Sequence, residues 1–334
     1  MKFSAAGAVA RWIAPLLTVV ALAGTAFIAG PAQVRPVPTL RLVADGDPLA
    51  GAPFYVNPAS AAMRAAQSAD PPSPELTAIA STPQAYWIVP GGSAATVGKY
   101  VGDANAAGAI PVLAIYGIPH RDCGSFAAGG MASADDYRSW IDGIASGVGT
   151  SRVAIIVEPD ALAMADCLSG DQRQERFDLV RYAVDALTRD PNAAVYVDAG
   201  HLRWHTAEDM AARLTQAGVG HARGFSLNTA NFFTTEDEIG YGEAISGLTN
   251  GSHYVIDTSR NGVGPAPDSE LNWCNPSGRA LGTPPTAATA GAHADAYLWI
   301  KRPGESDGTC GKGDPPAGNF VNQYAIDLVH NVGH

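Results

Sequence analysis

The sequence is short of charge, of sulfur and of long apolar runs. Only 16% of its 334 residues are charged, and acids outnumber bases 32 to 21, for a net charge of −11. An acidic surface without a basic cluster excludes nucleic acid and anionic membrane faces as partners. Four cysteines occur with no Cys-x-x-Cys pair, and the eight histidines do not cluster, so no metal is expected. The sequence has no phosphate-binding loop, no cofactor is expected, and a serine nucleophile is not expected either. Past residue 34 no apolar run is long enough to cross a bilayer. No heptad or internal repeat appears, which excludes a coiled coil and a solenoid.

The one long uncharged stretch lies at the start. Lys2 and Arg11 precede residues 12–34, which carry no charge, and Gly30-Pro31-Ala32 offers small residues for cleavage. Residues 1–32 therefore read as a signal peptide or an N-terminal membrane anchor. Removing them takes two positive charges from −11 and leaves −13. Residues 33–52 read as an extended leader, and residues 53–334 as one large α/β domain. The expected location is outside the cell, secreted or held to the outer membrane face by residues 12–34.

Buried strands come next. Residues 153–157, VAIIV, form an unbroken apolar run, mostly β-branched and too short for a helix, stopped by Glu158-Pro159-Asp160. Five more short apolar runs lead likewise into polar residues, 110–116, 194–197, 223–227, 253–256 and 296–300, and the run 86–89 completes a set of seven. Helical stripes separate several of them. Phe177, Val180, Val184 and Leu187 share one face of 171–188, and Tyr137, Trp140, Ile141 and Ile144 share one of 135–147. Thr206 reads as a helix N-cap, and 318–330 reads as a final helix. Alternating strands and helices imply parallel pairing with right-handed crossovers. The expected fold is a distorted parallel α/β barrel of seven strands with surrounding helices. Ligands then sit at the carboxyl ends of the strands.

Those ends carry Asp122, Asp160, Asp198, Asp257, Glu305 and Asp307, with Arg121, His201 and Lys301 among them. Trp87, Trp204 and Trp273 lie near the same ends, whereas Trp299, inside an apolar strand, reads as core. Carboxylates beside flat aromatic rings suit the cleavage of sugars. One acid protonates the leaving oxygen, another acts on water, and rings stack on sugar faces. Asp160 is the first choice for the acid. Structural ion pairs and core tryptophans are the competing explanation. In an exported chain the four cysteines suggest disulfides, and the residues alone leave all three pairings open.

The segments YGIPHRDCG (116–124), IIVEPDAL (155–162), VDAGHLRW (197–204), LNTAN (227–231), VIDTSRNGVG (255–264), WCNPSGR (273–279) and LWIKRPGESDG (298–308) resemble glycoside hydrolase family 6. That family contains inverting endo-β-1,4-glucanases and cellobiohydrolases on a distorted seven-stranded barrel. The resemblance implies Asp160 as proton donor and Asp122 as the acid that tunes it and helps position water. It implies Asp307 as the proposed base, with Asp198 and Asp257 as further cleft acids. Tyr116 matches the tyrosine of the central sugar subsite. Trp87, His201, Trp204, Asn228, Trp273, Lys301 and Glu305 match glucan-binding positions. The implied disulfides are Cys123–Cys167 and Cys274–Cys310. One departure is Ala128, where the family usually has a serine that helps hold the attacking water. The implied partner is a β-1,4-glucan, met by a monomer with no obligate protein partner. Only 26 residues separate Cys274 from Lys301, so the loops are expected to wall an open cleft and allow internal cutting.

Overall fold

The computed structural model describes residues 46–269 and 271–333. The leader, 1–32, and most of 33–52 lie outside the described residues. Within the described part of that leader, residues 48–51 form a turn instead of continuing extended.

Seven strands among the described residues pair in parallel and in chain order. They are β1 (Tyr86–Ile88), β2 (Val112–Ile115), β3 (Val153–Val157), β4 (Ala193–Asp198), β5 (Gly224–Leu227), β6 (His253–Asp257) and β7 (Ala294–Leu298). Around them stand α1 (Ala61–Ser68), α2 (Pro74–Ala80), α3 (Ala94–Ala106), α4 (Ala134–Val148), α5 (Gly170–Leu187), α6 (Ala207–Gln216), α7 (Thr235–Leu248) and α8 (Asn322–His330). The two edges of the curled sheet meet at a thin seam. The Ala85 N–H donates to Trp299 O at 2.9 Å, and the Trp87 indole N–H donates to Ile300 O at 2.8 Å.

Both faces of the sheet are buried, which explains runs without polar alternation. In β3, Val153, Ile155 and Val157 pack outward under the helices, while Ala154 and Ile156 fill the barrel with Ala114, Ala194, Tyr196 and Val255. Strand side chains alternate with period two. The parity that sends Ala114, Tyr196 and Val255 inward therefore carries Tyr116, Asp198 and Asp257 to the barrel mouth, whereas Glu158, past the end of β3 at φ +53°, turns to the Gly117 and Ile118 N–H groups. The polar ring at the strand ends is thus a consequence of register.

Helix starts follow the sequence closely. Ser133 caps α4 by accepting the Asp136 N–H, Ser169 caps α5 in a capping box with Gln172, and Thr206 caps α6. Two expectations change. The last helix begins at Asn322, not 318, because Phe320 pairs with Glu305 in an antiparallel bridge. Between β6 and β7 no helix forms among the described residues; the turn-rich segment 258–293 runs as loop.

Candidate active site

Among the described residues ten non-glycines have positive φ, and His120, Asp122, Cys123, Glu158, Asp160, Asn228, Ala230, Asn275 and Cys310 all belong to loops at the barrel mouth. Left-handed backbone costs energy at such residues and collects where a geometry is imposed from outside. The loops are tied together by Cys123–Cys167 and Cys274–Cys310, with Cα separations of 6.3 and 5.8 Å.

Asp160 is half-buried, and among the described residues its carboxyl takes no hydrogen bond from the protein. Burial, then the negative charges of Asp198 and Asp122, push its pKa well above the ordinary carboxylate range. Lys301 opposes that rise without cancelling it. Asp198 is 1% exposed and accepts the N–H groups of Asp160 (2.9 Å) and Gly200 (3.0 Å). It also accepts the hydroxyls of Ser226 (2.9 Å) and Thr229 (2.6 Å). Burial still lifts it to about 6 against these four donors. Its carboxylate therefore holds and tunes Asp160 instead of facing the cleft.

Asp122 starts the loop 122–130. Its Oδ2 accepts the Ala127 N–H at 2.7 Å, and burial raises its pKa against that bond and Arg121. Arg121 lies over the Tyr116 ring at 4.3 Å and donates to Tyr116 O (2.7 Å) and Ala127 O (2.9 Å). Gly130 anchors the end of the loop: at φ +99° a Cβ there would lie 1.9 Å from Ile118 O, so only glycine fits. Ala128 is exposed within this loop. Phe126, at the loop's tip, places its ring 6.0 Å from that of Trp273 in the β6–β7 loop.

Asp307 is fixed by cations. Its Oδ2 pairs with Arg260 at 2.8 Å and accepts the Asn275 N–H at 3.1 Å, and its Oδ1 pairs with Lys301 at 3.1 Å. Burial favours the neutral acid, yet Arg260 and Lys301 outweigh it and hold the pKa below the usual range. Arg260, fully buried, also donates to Ala230 O and lies 4.3 Å over the Phe232 ring.

The aromatic walls are where the strand ends put them. Trp87 meets Tyr116 edge-on at 5.2 Å, and both His201–Trp204 (5.0 Å) and His201–Phe233 (4.5 Å) pack ring on ring. Burial lowers the His201 pKa to about 4, with help from His205 and Arg203, so the ring is neutral in ordinary conditions.

Four expected contact residues sit deeper than the sequence suggested. Asp257 has no exposed surface, and its oxygens accept four N–H groups, from Ala230, Ser259, Ile300 and Lys301. Asn228, equally buried, spends its amide on Phe233 and Asp257 backbone. Both brace the loops and have no free group to offer a ligand. Glu305 is 4% exposed and paired with Arg302 at 2.8 Å. Lys301, 8% exposed, is committed to Asp307 and Ser306 O.

Gly304-Glu305-Ser306-Asp307-Gly308 also spells the Gly-x-Ser-x-Gly pattern of a serine nucleophile. Ser306 is 1% exposed and its hydroxyl donates to Pro315 O at 2.7 Å, with no histidine bonded to it, so it is no nucleophile. Sequence reasoning gave no role to Glu158, Arg176, Arg260 or Asn275, although each bonds a loop that carries an acid. Glu158 alone had a local signal, an acid two residues before Asp160 at the point where β3 stops.

Residues 49–332 match the family model described as Glycosyl hydrolases family 6. Endoglucanase A of Cellulomonas fimi is 44% identical over 284 residues, covering 84% of this chain and 61% of that protein. Endoglucanase 1 of Streptomyces halstedii is 40% identical over 290 residues, covering 83% of this chain and 88% of the relative. The structure of the endoglucanase Cel6 from Mycobacterium tuberculosis, in complex with a thio-linked cello-oligosaccharide, superposes with a TM-score of 0.85 at 74% identity. It is covered completely by 86% of this chain.

Proposed function

The chain belongs to glycosyl hydrolases family 6, and from that premise we propose that it hydrolyses internal β-1,4-glucosidic bonds of cellulose-like glucans with inversion at the anomeric carbon. The observation that carries the reading is Asp160: a half-buried carboxyl without a hydrogen bond from the described residues, its pKa pushed well up by burial and two neighbouring acids. Tyr116 is close enough to feel its charge, and the loops at the same strand ends carry the rings of Trp87, Trp204 and Trp273, which suit a flat, uncharged sugar chain.

Asp160 donates its proton to the glycosidic oxygen as that bond breaks, and a water attacks the opposite face of the anomeric carbon. The water's proton goes to a carboxylate. Asp307, ion-paired and held below the usual pKa range, is the weaker proton acceptor; Asp122, raised by burial, is the stronger once ionised. Asp307 with Arg260 and Lys301 supplies fixed charge at the cleft floor. Residues 53–334 form the catalytic domain, acting as a monomer outside the cell. Secretion or anchoring by the leader fits the two disulfides.

An exo-acting enzyme is the second reading, favoured by the contact of Phe126 with Trp273 between opposite loops. Phe126 is more than a third exposed and this ring pair is its single aromatic contact among the described residues, so a glucan can displace it. Viscometry of soluble carboxymethylcellulose against released reducing ends decides between the two. Steep viscosity loss at low sugar release supports internal cutting; cellobiose release with viscosity nearly intact makes the enzyme exo-acting. No release from any β-1,4-glucan overturns the reading altogether.

A further inference from the structure

Two buried charges grip the peptide that leads from Tyr116 to Asp122. Glu158, fully buried after β3, accepts the Gly117 N–H at both carboxylate oxygens (3.0 and 2.9 Å) and the Ile118 N–H at 3.0 Å. Arg176, reaching in from α5 at 2% exposure, donates to Pro119 O (3.0 Å) and His120 O (2.7 Å). The Glu158 carboxyl thus holds the first two N–H groups of the segment and the Arg176 guanidinium holds the next two carbonyls.

Both grips originate at Asp160. Glu158 precedes it by two residues on a left-handed backbone, φ +53°, and Arg176 also donates to Ala161 O at 3.3 Å, the residue directly after it. Tyr137 from α4, together with Tyr116 and Arg121, completes the charged and titratable surroundings of the pair. Neither Glu158 nor Arg176 faces the cleft, so neither is there to meet a ligand.

We propose that Glu158 and Arg176 form a clamp that sets the position of Asp122 relative to Asp160, making both of them positioning residues. The inference rests on the glycosidase reading above. Inversion places one water between an acid and a base, and the reaction tolerates little error in their separation. A misplacement on the order of 1 Å costs about 10²-fold in rate. In Glu158→Gln the carboxamide keeps one acceptor and turns an N–H toward backbone N–H groups. Arg176→Lys keeps the charge but not the fork that spans two carbonyls and a third beyond them.

The test combines turnover with amide hydrogen exchange, using Glu158→Gln, Arg176→Lys, Arg176→Met and, as a control from the same helix's core face, Val184→Ala. The clamp variants are expected to lose about 10²-fold in kcat on soluble glucan with KM within about threefold. Arg176→Lys should keep more activity than Arg176→Met. Exchange across 117–122 should quicken while α7 stays protected. Val184→Ala should lose stability yet keep kcat and the exchange pattern at 117–122. Wild-type kcat and exchange in Glu158→Gln and Arg176→Met would overturn the clamp. So would an equal kcat loss in Val184→Ala. A wild type that releases no sugar from any glucan would sink the glycosidase reading, and the exchange arm would still decide the clamp.

Discussion

Replacing Asp307 by Asn separates structural from chemical need at the cleft floor. The substitution keeps the shape but removes the charge that Arg260, without exposed surface, and Lys301, a tenth exposed at the side chain, both contact. Breaking a buried pair from one side leaves an uncompensated charge and costs about 3–5 kcal/mol. For a domain of this size each kcal/mol moves Tm by roughly 2–4 °C, so Asn should lower it by about 6–20 °C. The pH dependence gives a second check. A depressed carboxylate pKa contributes stability that is present above the ordinary value of 3.8 and lost as the pH falls through the folded value. The Tm gap between wild type and variant should therefore be full at neutral pH and shrink in acid below about 4. Adding Arg260→Met should recover part of the loss, because the lone buried cation goes with it. Differential scanning calorimetry across pH reads all three. A variant melting within about 2 °C of wild type at neutral pH, yet losing most of its turnover, would refute the ion-pair argument and restore Asp307 as the base.

Asp160→Asn should cost about 10²–10⁴-fold on an unactivated glucan and much less on a substrate with a good leaving group; equal small losses would remove it as the acid. Proton NMR of fresh product should show the α-anomer first, and early β-anomer would refute inversion. Ala128→Ser should raise turnover with little change in KM, and an unchanged rate would show that no hydroxyl is missing there. Glu158 is raised by burial from 4.5 to about 7, a group whose stabilisation is full at low pH and lost as pH rises through 7. Glu158→Gln should therefore flatten the decline in stability between pH 4.5 and 7 by up to about 3 kcal/mol, which thermal melts against pH would detect or deny.

Much of this architecture was legible because barrel strands are buried on both faces. Runs such as 153–157 have no polar alternation to confuse them, and their order in the sheet is their order in the chain. The acids were legible as a set for the same reason, since each stands at the end of a run or in the loop that follows it. What each acid does was not. Asp198, Asp257 and Asp307 look alike in sequence, and only long-range partners divide them: hydroxyls and amides for the first, four amides for the second, two cations for the third. Arg176 reads as one more polar residue on an amphipathic helix, and nothing local shows that it turns inward. The final helix was drawn too long because Phe320 fits a helical stripe as well as it fits the bridge that claims it.

The seam between β1 and β7 has a consequence for the order of assembly. Every other strand contact joins neighbours in the chain, so six of the seven junctions can form as the polypeptide emerges. Closure alone must wait, because the indole of Trp87 bonds a carbonyl 213 residues further on. Lys301, Glu305 and Asp307 lie just past that point of closure. A nascent or truncated chain ending before residue 300 would thus contain Asp122, Asp160 and Arg260 while lacking Lys301, Glu305 and Asp307. Trp87 stands at the joint and would report its closing as a change in indole emission, the last step at which the site becomes whole.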